Sequence, residues 1–174
     1  MKYFTPQLYE RLQNADPAVM DAVDADWEAA SARYEQRRLV VGAALAPVLT
    51  RFEGILLHDA TVLGISRRGA EFSILLLKDL PPWDLVTLTY TLTDEPYIDK
   101  NAVSSAHQSG VMQFEYDEFD VIEERGRNHC THSILFSNGW EIRLRFRDVQ
   151  VSLAQPVYPL PSVRFPAPPA TATA

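Results

Sequence analysis

Two short runs carry the side chains best suited to chemistry. His58-Asp59 sets an imidazole beside a carboxylate, and His129-Cys130-Thr131-His132 sets two imidazoles and a thiol within four residues. Such groups hold metal ions or move protons. A metal site at His58-Asp59 of the phosphohydrolase kind would need a further histidine upstream and a further aspartate, and no histidine precedes His58. The pair therefore reads first as a turn, with Asp59 accepting from backbone donors and His58 hydrogen-bonding nearby. In the second run, residues three apart on a strand point to opposite faces, so His129 and His132 cannot chelate one ion. Cys130 and His132 share a face, which reads as interior: a satisfied core histidine beside a buried thiol. The expectation is no metal, no cofactor and no catalytic residue. The sequence holds neither a Gly-x-Ser-x-Gly elbow nor a phosphate-cradling glycine loop.

Charged side chains form the other candidates. Glu115, Asp117, Glu118, Asp120, Glu123 and Glu124 make a dense acidic run, read as a solvated strand face. Arg143, Arg145 and Arg147 alternate, which places all three on one face of a strand. That row suits a phosphate or an acidic partner, or a ladder of ion pairs with the preceding strands across the small Ser133 and Thr131, and the ladder is favoured.

The elements that position these groups follow from caps and periodicity. Thr5-Pro6 and Asp16-Pro17 each put a capping side chain before a proline at the first helical position. The first opens a short helix ending near Asn14. The second opens a longer one with an apolar stripe at Val19, Val23, Trp27, Ala30 and Tyr34, and with Asp21, Asp24, Asp26 and Glu28 toward its N-terminal half. Gly42 and Pro47 are expected to interrupt it, leaving a third helical piece through Leu45, Val48, Leu49 and Phe52. From His58 the period becomes 2. Val62 to Arg67 and Glu71 to Lys78 read as strands around a turn at Arg68-Gly69, and Val86, Leu88, Tyr90 and Leu92 alternate with threonines. Met112, Phe114 and Tyr116 point one way and Gln113, Glu115 and Asp117 the other. Phe119 and Val121 have the opposite parity, which places a bulge near Asp117-Glu118.

Around Ser137-Asn138-Gly139, a three-residue loop with Gly139 in the left-handed conformation pairs Phe136 with Trp140, Ile134 with Ile142, His132 with Leu144 and Cys130 with Phe146. Parity changes again after Arg147, where Val149, Val151 and Leu153 take over. The fold expected is α+β, a single domain over 1–155. Its helical layer, 1–54, packs on an antiparallel sheet of about six strands, 58–154. Six of the twelve prolines lie beyond Ala154, so 156–174 reads as an extended proline-rich tail.

Three stretches resemble a family of small bacterial proteins to which no activity is assigned: MKYFTPQLYERL at the start, LLHDATVLGI at the helix-to-strand junction, and HSILFSNGWEIRLRFRDV near the end. They bracket most of the chain, from Met1 to about Val151, and the resemblance carries over no catalytic residue. The His-Asp junction followed by strands is also similar to segments of some immunity proteins of bacterial toxin systems.

Composition narrows the function classes. The chain has 174 residues, 47% apolar and 22% charged, with 23 acidic against 16 basic side chains and a formal charge of −7. That mix supports a buried core, and the acidic balance argues against nucleic acid as a partner. The opening residues lack a signal-peptide run, and the longest mostly apolar stretch, Leu39 to Leu49, is too short to span a bilayer. With one cysteine the expectation is a cytoplasmic protein that does not engage a membrane. The function expected is a non-enzymatic, immunity-like binding module for a basic protein partner. Its candidate binding residues are Asp21, Asp24, Glu115 and Asp117 on the acidic side, with Arg143, Arg145 and Arg147 on the basic strand. The alternative is a hydrolase or small-ligand-binding protein using His58, Asp59 and nearby carboxylates.

Overall fold

The computed structural model describes residues 1–13, 16–102, 110–124 and 126–156. The expected tail beyond residue 156 and His107 lie outside them. Helix α1 spans Pro6–Leu12 and α2 spans Pro17–Leu49. Both open as their sequences dictate: the Thr5 side chain accepts from the Leu8 N–H at 3.2 Å, the Asp16 side chain accepts from the Ala18 N–H at 2.9 Å, and a proline follows each cap.

The expected interruption of α2 does not occur, and there is no separate third helix: the 33 residues run unbroken, about 50 Å. Pro47 lies in the last turn, so the single bond it removes is to the carbonyl of Ala43, an exposed residue that water can reach. The Thr50 hydroxyl donates to the Ala46 carbonyl at 2.8 Å and helps close the end, followed by a short 3-10 turn, Thr50–Phe52.

Among the described residues seven antiparallel strands follow: β1 (Ala60–Arg68), β2 (Glu71–Leu77), β3 (Leu85–Leu92), β4 (Tyr97–Asp99), β5 (Gln113–Glu124), β6 (Arg127–Phe136) and β7 (Glu141–Ala154). Their order is β3-β2-β1-β5-β6-β7-β4, and β3 also pairs with β7, so six strands close a ring and β4 takes the part of the β7 edge that β3 leaves. The α+β class is as the sequence indicates, with the sheet rolled into a barrel. Its interior is filled by Phe72, Ile74, Leu76, Val86, Leu88, Tyr90, Phe114, Ile134, Phe136, Ile142, Leu144 and Phe146, each at most 2% exposed.

The β6–β7 hairpin has the expected register: Ile134 faces Ile142, His132 faces Leu144 and Cys130 faces Phe146. The Phe136 N–H donates to the Trp140 carbonyl at 2.9 Å, and Gly139 has φ 82°. The parity change after Arg147 is a bulge, since Thr91 faces Asp148 while Leu92 faces Phe146.

One seam of the ring is nearly open. β1 and β5 share two residue pairs, Ala60 with Phe114 and Thr61 with Gln113. Beyond them the free edge of β5 is capped by α2. The Tyr34 hydroxyl accepts from the Phe119 N–H at 2.7 Å, and the Arg37 guanidinium donates to the Val121 carbonyl at 2.8 Å and to Asp120 at 2.7 Å. Each such buried backbone group would cost about 1–3 kcal/mol without a partner. The stripe of α2 continues as Val41, Leu45 and Val48, which join the barrel core at this seam.

The bulge in β5 falls earlier than the sequence indicates. Phe114 faces Phe136 and Tyr116 faces Leu135, so Glu115 is the extra residue. Phe114 and Tyr116 therefore lie on opposite sides, and Asp117 joins Phe119 and Val121 on the barrel side. The reason is a second apolar cluster outside the barrel: Tyr116 and Leu135 pack with Tyr9 and Met1 under the N-terminal segment, and Tyr116 lies 4.6 Å from the Trp27 ring, centroid to centroid.

The acidic run is not one solvated face. Glu118, 4% exposed, accepts from the backbone N–H groups of Lys2, Tyr3 and Phe4 at 2.8, 2.7 and 2.6 Å, which lashes the N-terminal segment across the outer side of β5. Glu118→Ala leaves those donors without their acceptor and is expected to lower stability by about 3 kcal/mol, with Glu118→Gln costing less. Equilibrium urea unfolding measures both; equal midpoints for Glu118→Ala and wild type would show that the segment is not held this way.

Candidate functional site

The seam places the first candidate pair. Asp59 has φ 64°, the one positive value at a non-glycine among the described residues, in the left-handed region that aspartate tolerates better than most. The Asp59 N–H donates to the Phe114 carbonyl at 2.8 Å, and the Gln113 side chain donates to the Asp59 carbonyl at 3.3 Å. This turn brings His58-Asp59 against the bulged Glu115. His58 Nδ1 lies 2.9 Å from Asp59 Oδ2, and one donor atom from each of His58, Asp59 and Glu115 falls within 4.8 Å of the others.

Aromatic side chains form the surroundings. The His58 ring meets Tyr116 edge-on at 5.1 Å, Tyr116 meets Tyr9 edge-on at 5.9 Å, and the Tyr9 hydroxyl donates to Glu115. His58, Glu115 and Asp117 line a cleft of about 230 Å³ with Phe52, Leu57 and Phe119. Partial burial, and then the charge of Asp59, hold the Glu115 carboxyl above the usual carboxylate range, while His58 and the Tyr9 hydroxyl pull it back. Burial and the charge of Glu115 push the Tyr9 phenol up.

A second polar group runs inward from the same cleft. His132 is fully buried, its Nε2 2.9 Å from Asp117 Oδ2 and its Nδ1 2.7 Å from the Tyr90 hydroxyl. Burial, and then the charge of Asp117, hold the Tyr90 phenol well above its ordinary value, so its hydroxyl stays protonated beside Nδ1. The Asp117 carboxylate can only accept, so a proton on Nε2 serves that contact. Phe119 stacks on the imidazole at 3.8 Å and 16°. His132 is thus the satisfied core histidine that the strand parity indicates. Its partners are not apparent in the sequence, because Asp117 reaches the inner side only through the bulge at Glu115. Cys130 shares the inner face as expected, with its thiol pushed up by partial burial.

The arginine row is largely engaged. Arg145 pairs with Glu124 of β5 at 2.7 Å, across Thr131 of β6, and with Asp94 at 3.2 Å. Arg143 pairs with Glu141 at 2.9 Å and lies over the Tyr97 ring at 4.1 Å. Arg147 is exposed at the β7 bulge. A groove of about 510 Å³ runs beside Arg143 and Arg145, but Asp94, Glu95 and Asp120 line it too, so its charges largely compensate one another.

The four acidic candidates divide. Asp21 and Asp24 are exposed on α2, whereas Glu115 and Asp117 belong to the half-buried cleft. No protein-family model and no curated protein matches the chain, so the functional reading rests on these residues.

Because folded Glu115 holds its proton more tightly than the unfolded chain does, its ionisation opposes folding. That cost is absent below the unfolded value of about 4.3 and fully present once the pH has risen through the folded value. Glu115→Gln is therefore expected to raise the melting temperature at neutral pH and to lose that advantage in acid, by calorimetry across pH. A loss of stability equal at both ends would contradict this balance.

Proposed function

We propose that the protein is a non-enzymatic, immunity-like binding module whose acidic helix face engages a basic protein partner. The observation that carries this reading is the row Asp21, Asp24 and Glu28. Spaced at three and four residues, the three carboxylates share one exposed face of α2, and no basic side chain lies within ion-pair distance of them among the described residues. The neighbouring Asp26, by contrast, is paired with Arg11 at 2.7 Å.

The helix dipole does not account for the row, since the first turn of α2 carries no acid and the dipole effect fades within that turn. Like charges so spaced cost a helix about 0.2–0.5 kcal/mol per pair, which a basic surface would convert into attraction. The barrel interior supports a binding role for the outside: it is packed with apolar side chains, and its histidine is fully bonded.

A second reading, a hydrolytic or small-ligand site at His58, Asp59 and neighbouring carboxylates, is favoured by one observation. The His58 side chain is 42% exposed and lines an open cleft, where a purely structural histidine would be buried against backbone.

The first reading is tested with the immobilised full chain and its host's proteins, followed by reconstitution with the purified partner. The expected partner is basic, is released at high salt, and is lost with Asp21→Lys/Asp24→Lys; its association rate falls about tenfold or more between low and high ionic strength. A search that yields no salt-sensitive partner, or a partner retained equally by the double variant, overturns it.

A further inference from the structure

At the edge of the cleft the His58-Asp59 turn meets Glu115 from a segment distant in sequence, so one imidazole and two carboxylates come together, and that donor set is specific in its chemistry. A nitrogen ligand disfavours magnesium and calcium, which take oxygen, and suits zinc and its neighbours. We propose that His58, Asp59 and Glu115 bind a single divalent ion of the zinc class, with a coordination position left to water or a ligand. The site gives a chemical identity to the second reading above and rests on it only in using the same cleft.

Three observations support it. Bonds of about 2.0–2.1 Å put neighbouring ligand atoms about 2.9–3.4 Å apart, and His58 Nδ1 and Asp59 Oδ2 already stand at 2.9 Å. The Glu115 donor lies within 4.8 Å of both, so a side-chain rotation closes the set. Finally, the fold forces the carboxylates of Asp59 and Glu115 together beside His58 and Tyr116, where like charges oppose one another. A divalent ion would replace that repulsion with attraction to both groups. His129 is on a separate strand position and is not part of the set.

The test is calorimetric titration of zinc chloride into the untagged, chelator-stripped full chain. The expected result is one ion per chain, with His58→Ala and Glu115→Gln each weakening affinity at least about tenfold and His129→Ala matching wild type; tenfold corresponds to about 1.4 kcal/mol. Glu115→Gln keeps the test independent of folding, since it is expected to be more stable than wild type at neutral pH. Absence of saturable binding to wild type, wild-type affinity in both cluster variants, or loss that follows His129→Ala instead overturns the inference. Hydrolysis or small-ligand binding assayed with chelator present tests the second reading separately, so the two fail independently.

Discussion

Strands β1 and β5 touch at only two residue pairs and then part, and the rest of the molecule is arranged around that parting. A barrel that closes by regular pairing has no edge to protect. This one leaves the outer backbone groups of β5 to be satisfied by something else, and α2 supplies it, placing Tyr34 and Arg37 against Phe119 and Val121. Burial raises the Tyr34 phenol to about 12, so its hydroxyl stays neutral and able to hold both backbone groups of Phe119. The same helix feeds Val41, Leu45 and Val48 into the gap. Its length follows from the two tasks: one half covers the outer side of the sheet with α1 and the N-terminal segment, and the other half fills the seam.

The seam also accounts for where chemistry gathers. As β5 leaves β1 it bulges at Glu115, and the left-handed turn at Asp59 fits the space that opens. One residue of slip reverses every side chain beyond it. That slip sends Asp117 inward to His132 and Tyr90, turns Tyr116 and Glu118 outward, and sets Glu115 beside His58. The cleft and the buried hydrogen-bonded chain behind it are consequences of one irregularity.

Local features of the fold were legible in the sequence because their causes are local. The caps at Thr5 and Asp16, the three-residue loop closed by Gly139 and the parity change after Arg147 each depend on residues a few positions apart. The bulge in β5 falls earlier than the sequence indicates because Phe114 and Tyr116, both aromatic, suggest one apolar face where the fold has two, the barrel interior and the cluster around Tyr9, Trp27 and Leu135. Pro47 marks a helix end in sequence, yet two residues from the terminus its cost is small. Closure of the sheet through β3 and β7, and the meeting of His58 with Glu115, are long-range pairings that periodicity does not report. The acidic run shows the same limit: its members look alike in sequence, but one cradles the N-terminal backbone, one orients a buried imidazole and one pairs with α2. The acids of α2 are simpler, since only exposure and the absence of a first-turn role distinguish them.

The dependence of the barrel on α2 is read most directly from amide hydrogen exchange at Phe119 in wild type and in Tyr34→Phe. The account predicts that the wild-type Phe119 amide is protected like the ladder amides of β6 and β7. Loss of the hydroxyl should speed its exchange about tenfold or more while those ladders are unchanged. Fast exchange at Phe119 in the wild type, or the same slow rate in the variant, would contradict the claim that the helix closes the seam.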